Sequence, residues 1–179
     1  MQFDEQWSFV GKKQKHGDPS RREDARCGDC WDHVAFDPEH RLVVSVVVGK
    51  RTEAHAQQVV HEFRERTDGR PINLMTSDEY PAYASALTAV YAEPASVPAG
   101  RAASEAEPRL PDWLVDATVH KTREKHRVVK VETRLVFGLL LSLAAALLGS
   151  AVRRRVNTVF VERVNGTDRG QNSRKVRKT

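Results

Sequence analysis

Phe3-Asp4-Glu5-Gln6-Trp7-Ser8-Phe9-Val10 decides how the rest of the chain is read. Aromatic residues at 3, 7 and 9 and a stop at Gly11 predict a β-strand over residues 2–10, so Asp4 lies in a strand. Trp7 is read as core packing beneath it. Outward from this stretch, residues 11–29 are charge-dense, contain Gly17, Pro19 and Gly28, and read as a surface loop. Residues 30–36 and 41–48 predict two further strands around the turn Asp37-Pro38-Glu39-His40. The second, Leu42-Val43-Val44-Ser45-Val46-Val47-Val48, is apolar on both faces, which predicts a central place in its sheet.

A helix from Glu53 to about Arg66 follows, with Thr52 as N-cap, an apolar stripe at Ala56, Val59, Val60 and Phe63, and a stop at Asp68-Gly69. Residues 71–76 predict a fourth strand with Asp78 just past its end, where α/β sheets place their chemistry. Residues 80–92 predict a second amphipathic helix through Tyr83, Ala86, Leu87 and Val90. Residues 93–112, with Pro94, Pro98, Pro108 and Pro111, read as an irregular insertion. Residues 126–133 alternate as an edge strand or hairpin that turns its cations outward. Strands alternating with helices indicate an α/β fold, and 179 residues at 40% hydrophobic fit one domain.

Three carboxylates stand in distinct settings: Asp4, Asp78 and Glu162, the last within Asn157-Thr158-Val159-Phe160-Val161-Glu162-Arg163. They are 74 and 84 residues apart, so only a tertiary fold can unite them. Hard divalent cations take oxygen ligands, and two such ions can clamp the attacking and leaving oxygens of a phosphodiester. Each acid also has a plainer reading. Asp4 could be a surface acid, Asp78 the cap of the helix from Tyr80, and Glu162, Asn165 and Arg169 an ordinary stripe along one helix face. Asn165-Gly166 is itself a turn signal against a continuous helix. Glu5 and Glu79 sit beside the two aspartates in sequence and point to the opposite sheet faces.

The phrases Asp4-Glu5-Gln6-Trp7-Ser8-Phe9-Val10-Gly11-Lys12-Lys13, Thr76-Ser77-Asp78-Glu79-Tyr80 and Arg155-Val156-Asn157-Thr158, leading into Phe160 to Arg169, occur in that order. Together they resemble the catalytic core of DDE transposases of bacterial insertion sequences, most closely the insertion sequence 1 family, from Asp4 to Thr179. The resemblance implies an RNase H-like mixed sheet flanked by helices, with Asp4, Asp78 and Glu162 as an acid triad holding two Mg²⁺ (or Mn²⁺) ions. It implies cleavage and joining of DNA strands, with double-stranded DNA of the element ends and of the target as partner and a homo-oligomer assembled on that DNA. Arg169 stands seven positions after Glu162, where many DDE enzymes carry a basic residue. Family members usually begin with a zinc-finger or helix-turn-helix segment, whereas three residues precede Asp4 here, and relatives tend to continue past the basic run at 174–179. Those departures would suit a fragment, one product of a split reading frame, or a decayed copy.

Charge divides the chain. Residues 1–120 carry 14 basic and 20 acidic side chains, net −6, and residues 121–179 carry 15 and 4, net +11. Such an excess predicts a polyanion partner, with a solubilising tail as the plainer alternative. Arg163, Asn165, Arg169, Arg174, Lys175, Arg177 and Lys178, in a basic helix and tail from about residue 153, are the candidate DNA contacts; His120 and His126 would face solvent or phosphate. Cys27 and Cys30 form no disulfide framework and are read as loop thiols; a zinc site would need further ligands such as His16 and His33. Met1-Gln2-Phe3-Asp4 lacks the basic start and apolar run of a secretory signal, so a cytoplasmic, nucleoid-associated protein is expected. Residues 135–152 are eighteen uncharged residues, the lower limit of a membrane span. Gly138, Ser142, Gly149 and Ser150 interrupt them, and a span would part Glu162 from both aspartates, so they are read as a buried helix. Three functions compete: a transposase core, a DNA-binding remnant that no longer cuts, and a membrane-associated protein using 135–152.

Overall fold

The computed structural model describes residues 1–93, 109–125, 127–172 and 175. Strands β1 (Gln2–Val10), β2 (Gly28–Asp37) and β3 (Leu42–Gly49) form an antiparallel meander. Helix α1 (Glu53–Arg66) then carries the chain back to β4 (Met75–Asp78), which pairs in parallel with β1. Helix α2 (Ala82–Tyr91) precedes β5 (Asp116–Glu124), parallel to β4, and β6 (Arg127–Phe137) returns antiparallel to β5. Helices α3 (Leu140–Gly149) and α4 (Val159–Gln171) complete the order. The sheet runs β3-β2-β1-β4-β5-β6, an RNase H-like mixed sheet flanked by helices, as the resemblance implies.

Alternation along β1 divides its side chains between two layers. Phe3 points to the α1–α2 layer, where its ring lies 5.6 Å from Phe63 and 5.5 Å from Tyr83. Ala56, Val59, Val60 and Phe63 of α1 are all buried in this core with Ala86 and Leu87 of α2, so the stripe read from the sequence is the packing face. On the other face, α4 lies over β1 and β2 through Val161, Val34 and Phe36, and Leu143 of α3 packs on Val115, Ala117 and Val119.

Several local expectations change. Strand β3 is the edge of the sheet, not its centre. Its inward Ser45 and Val47 meet α1, whereas on the far side α4 packs mainly on β1 and β2 and Val46 and Val48 stay exposed. Residues 135–152 are not a buried helix. Residues 135–137 finish β6, and Gly138 then turns the chain with φ +92, where an added Cβ would lie 2.8 Å from the Leu114 carbonyl. Only ten residues follow as helix, and of these only Leu143 is buried. Among the described residues no helix is long and apolar enough to cross a membrane. Trp7 is half-buried rather than core, because its part of β1 pairs with β2 alone; its ring lies 5.8 Å from Phe9 and 5.9 Å from the Lys13 ammonium. Thr52 holds the N-cap position of α1 but its hydroxyl bonds His55 Nδ1, so it caps no backbone N–H. The fourth strand is Met75–Asp78, with Asp78 as its last residue. The loop 11–29 contains two short 3-10 turns, Gln14–His16 and Asp24–Arg26, and buries Asp24 against Lys12 at 2.8 Å. Of the insertion at 93–112, residues 94–108 lie outside the described residues, and Glu93 and Arg109 on either side form an isolated bridge.

Candidate active site

The even-numbered residues of β1 build one wall of the site. Gln2, Asp4 and Gln6 face α4, and each meets it. Gln2 Oε1 accepts from the Val161 N–H at 2.9 Å while its amide donates to the Asn157 carbonyl at 2.6 Å. Asn165 donates to Asp4 Oδ2 at 2.8 Å, and Gln6 donates to Asp168 at 3.2 Å. Apolar sheet-facing positions would slide; this ladder of buried amides pins the helix in one register, because each unmade bond would strand a buried polar group. Helix α4 runs unbroken through Asn165-Gly166, so Glu162 and Arg169 share it two turns apart.

Strand β4 supplies the second acid. Gln2 pairs with Thr76 and Phe3 with Ser77, and continuing that parallel register sets Asp78 beside Asp4 on the same face. Thr158, the residue before α4, joins the second and third acids. Its hydroxyl lies 2.9 Å from Asp78 Oδ1 and 2.5 Å from Glu162 Oε1, and its single hydrogen serves one carboxylate at a time. The Lys121 ammonium donates to Glu162 Oε1 and stands 3.6 Å from Asp78 Oδ1. Three distant stretches of sequence therefore meet: Asp78 and Glu162 share one hydroxyl and one cation, and Asp4 lies against both Asp78 and α4.

Charge is tuned accordingly. Burial, and then the neighbouring Asp78 carboxylate, push the Asp4 carboxyl up to about 7, with the Asn165 bond opposing the rise. Burial acts to raise Glu162 as well, but the bonds from Lys121 and Thr158 outweigh it and hold the carboxyl below its ordinary range. Burial lowers Lys121, and its bond to Glu162 and the nearby Asp78 charge more than reverse this. A cleft of about 330 Å³ opens at the carboxyl end of β4, with Asp78 and Glu79 on its wall and Arg51, Lys121 and Arg123 around them.

The other sequence candidates are dispersed. Arg169 is half-buried, its Nε without a partner among the described residues. Arg163 is exposed, and Lys175 pairs with Asp32 and Asp168. Arg174, Arg177, Lys178 and His126 lie outside the described residues. His120 meets Glu79, which also pairs with Arg134, while Glu5 lies across the sheet from the acids and pairs with Arg51. Cys27 and Cys30 are free thiols, and His33 is buried with Nε2 on the Lys50 carbonyl. Among the described residues no three His, Cys, Asp or Glu side chains form a group that could hold a metal.

Sequence reading missed Lys121 and Thr158. Signals existed: Thr158 lies four residues before Glu162, and Lys121 continues the inward alternation Ala117, Val119 with a cation. Comparisons with protein-family models, with curated proteins and with solved structures returned no match.

Proposed function

We propose that the chain is the catalytic core of a DDE-type transposase, acting on double-stranded DNA by divalent-metal-dependent strand cleavage and strand transfer. The observation that carries this reading is the meeting of Asp4, Asp78 and Glu162 on one face of an RNase H-like sheet, from the three phrases that resemble that family. The donor set is all oxygen, the kind hard cations take; the three carboxyls do not close into one metal-holding group in this arrangement, in which the Lys121 ammonium stands between Asp78 and Glu162 and two carboxylates converge around a positive charge. Asp78 and Glu162 would hold one ion, and Asp4 with Asp78 a second. Such ions supply an activated water and neutralise charge on the scissile phosphate.

The protein's own groups do the positioning. Asn165 holds the Asp4 carboxyl toward α4, and Thr158 keeps Asp78 and Glu162 within reach of one another. Arg123 and Arg51 beside the cleft, with Arg163 on α4, offer the DNA backbone its cationic contacts. Work on DNA in the nucleoid and assembly of several copies on it follow from the same reading. Its test is Mg²⁺-dependent nicking and joining of DNA that carries the ends flanking this coding sequence. Wild type should nick in Mg²⁺ and not in Ca²⁺, and Glu162→Gln should not nick. Equal nicking by both proteins removes Glu162 from the chemistry.

A second reading, a DNA-binding remnant, is favoured by the same ammonium, because a protein cation stands where an ion would go. DNA binding that survives Asp78→Asn, with no metal-dependent cleavage by wild type, selects it.

A further inference from the structure

Strand β4 ends at Asp78, which pairs with Val119 of β5. Lys121 lies two residues farther along β5 on the same face, past the last residue of β4, so no strand stands between its side chain and the acids. The side chain folds back across that gap. Its ammonium donates to Glu162 Oε1, stands 3.5 Å from Thr158 Oγ1 and 3.6 Å from Asp78 Oδ1, and is only one-fifth exposed. The same residue lines the cleft at the end of β4, which gives the ammonium a second place to stand, beside Arg123 and Glu79 and off the Glu162 oxygen.

We propose that Lys121 is a resident cation of the site, which a divalent ion must displace before it can bind between Asp78 and Glu162. This inference rests on the metal-site reading above and concerns its regulation. Two carboxylates that converge on one point repel each other unless a positive charge lies between them. A lysine ammonium meets that need with one charge and a flexible stem, whereas a divalent ion meets it with two charges and direct oxygen bonds. The two occupants exclude each other at the Glu162 oxygen. The Asp78 and Glu162 carboxyls are thus held together and ordered before any ion arrives, and the ion's affinity is reduced by the work of moving Lys121 into the cleft. Once there, Lys121 adds its charge to the surface that faces phosphate. Ion binding and DNA binding thereby favour each other.

Titration of Mn²⁺ by calorimetry into wild type, Lys121→Met, Lys121→Arg and Glu162→Gln provides the test. Removing the resident charge should tighten Mn²⁺ binding by about tenfold or more, equivalent to about 1.4 kcal/mol. Lys121→Arg keeps the charge and should bind as weakly as wild type, and Glu162→Gln should bind most weakly. Mn²⁺ binding that is equal in wild type and Lys121→Met, yet lost in Glu162→Gln, overturns the role of Lys121 while leaving the metal site standing. Absence of Mn²⁺ binding in all four proteins overturns both. A measurement on wild type alone stands beside this: acetylation of Lys121 by an amine-reactive ester, followed by mass spectrometry, should speed up several-fold on addition of Mn²⁺. An unchanged Lys121 rate under Mn²⁺ that saturates the protein also overturns the proposal.

Discussion

Asp116, the first residue of β5, has both carboxyl oxygens buried with no partner among the described residues. Burial pushes this carboxyl up to about 7, against an unfolded value in the ordinary carboxylate range. The folded chain therefore keeps a proton that the unfolded chain gives up. Stability from this group is fully present at low pH and is lost as pH rises through about 7, by an amount on the order of 4 kcal/mol. Asp4 acts in the same direction over the same window. Urea denaturation should find wild type less stable at pH 8 than at pH 5, and Asp116→Asn should abolish a large part of that difference; an unchanged difference refutes the assignment. At this scale the acids were legible in the sequence because each sits in a distinctive phrase. Lys121 and Thr158 were missed, because the link from Lys121 to Glu162 and the link from Thr158 to Asp78 cross 41 and 80 residues of chain that only the fold brings together.

Helix α3 shows where an element's hydrophobicity misleads. Its leucines read as one apolar block, yet Leu141 is 82% exposed and Leu143 is 6% exposed. Leu143→Ala removes a side chain packed on Val115, Ala117 and Val119 and should cost about 2–5 kcal/mol, whereas Leu141→Ala should cost less than about 0.5 kcal/mol. Chemical denaturation of the two variants checks this, and equal losses would restore the buried-helix reading. Strand β1 and helix α1 were legible because their patterns are local: alternation around Phe3, and a stripe at Ala56, Val59, Val60 and Phe63. Strand β3 was misplaced because an apolar run records how a strand could be buried, while its position depends on pairing, and β3 pairs with β2 alone.

Across the whole molecule the basic third of the sequence is shared between the β5–β6 edge of the sheet and α4 with its approach. Lys121 and Arg123 lie on β5, and Arg127, Lys130 and Arg134 on the β6 edge, so the described part of the basic third is a hairpin as much as a tail. Contact with about 6 phosphates predicts roughly a thousandfold loss of DNA affinity between ~50 and ~200 mM salt, and each of Arg123→Gln and Arg127→Gln should lower the salt slope by about 1. Fluorescence anisotropy on a DNA duplex across that salt range reads both, and a slope unmoved by either substitution would place the contact elsewhere. The order of the strands was not legible, because pairing β1 with β4 joins segments more than seventy residues apart.

The docking of α4 on β1 also sets a clock. A ribosome releases β1 before α4, so Gln2, Asp4 and Gln6 meet their partners only after Asn157, Val161, Asn165 and Asp168 have emerged. Until then the nascent chain carries two aspartates and no glutamate to complete them, and a message broken before codon 158 yields a sheet without a site. For a protein proposed to cut DNA, the late arrival of α4 after β1 is thus a safety catch on every copy broken off between them.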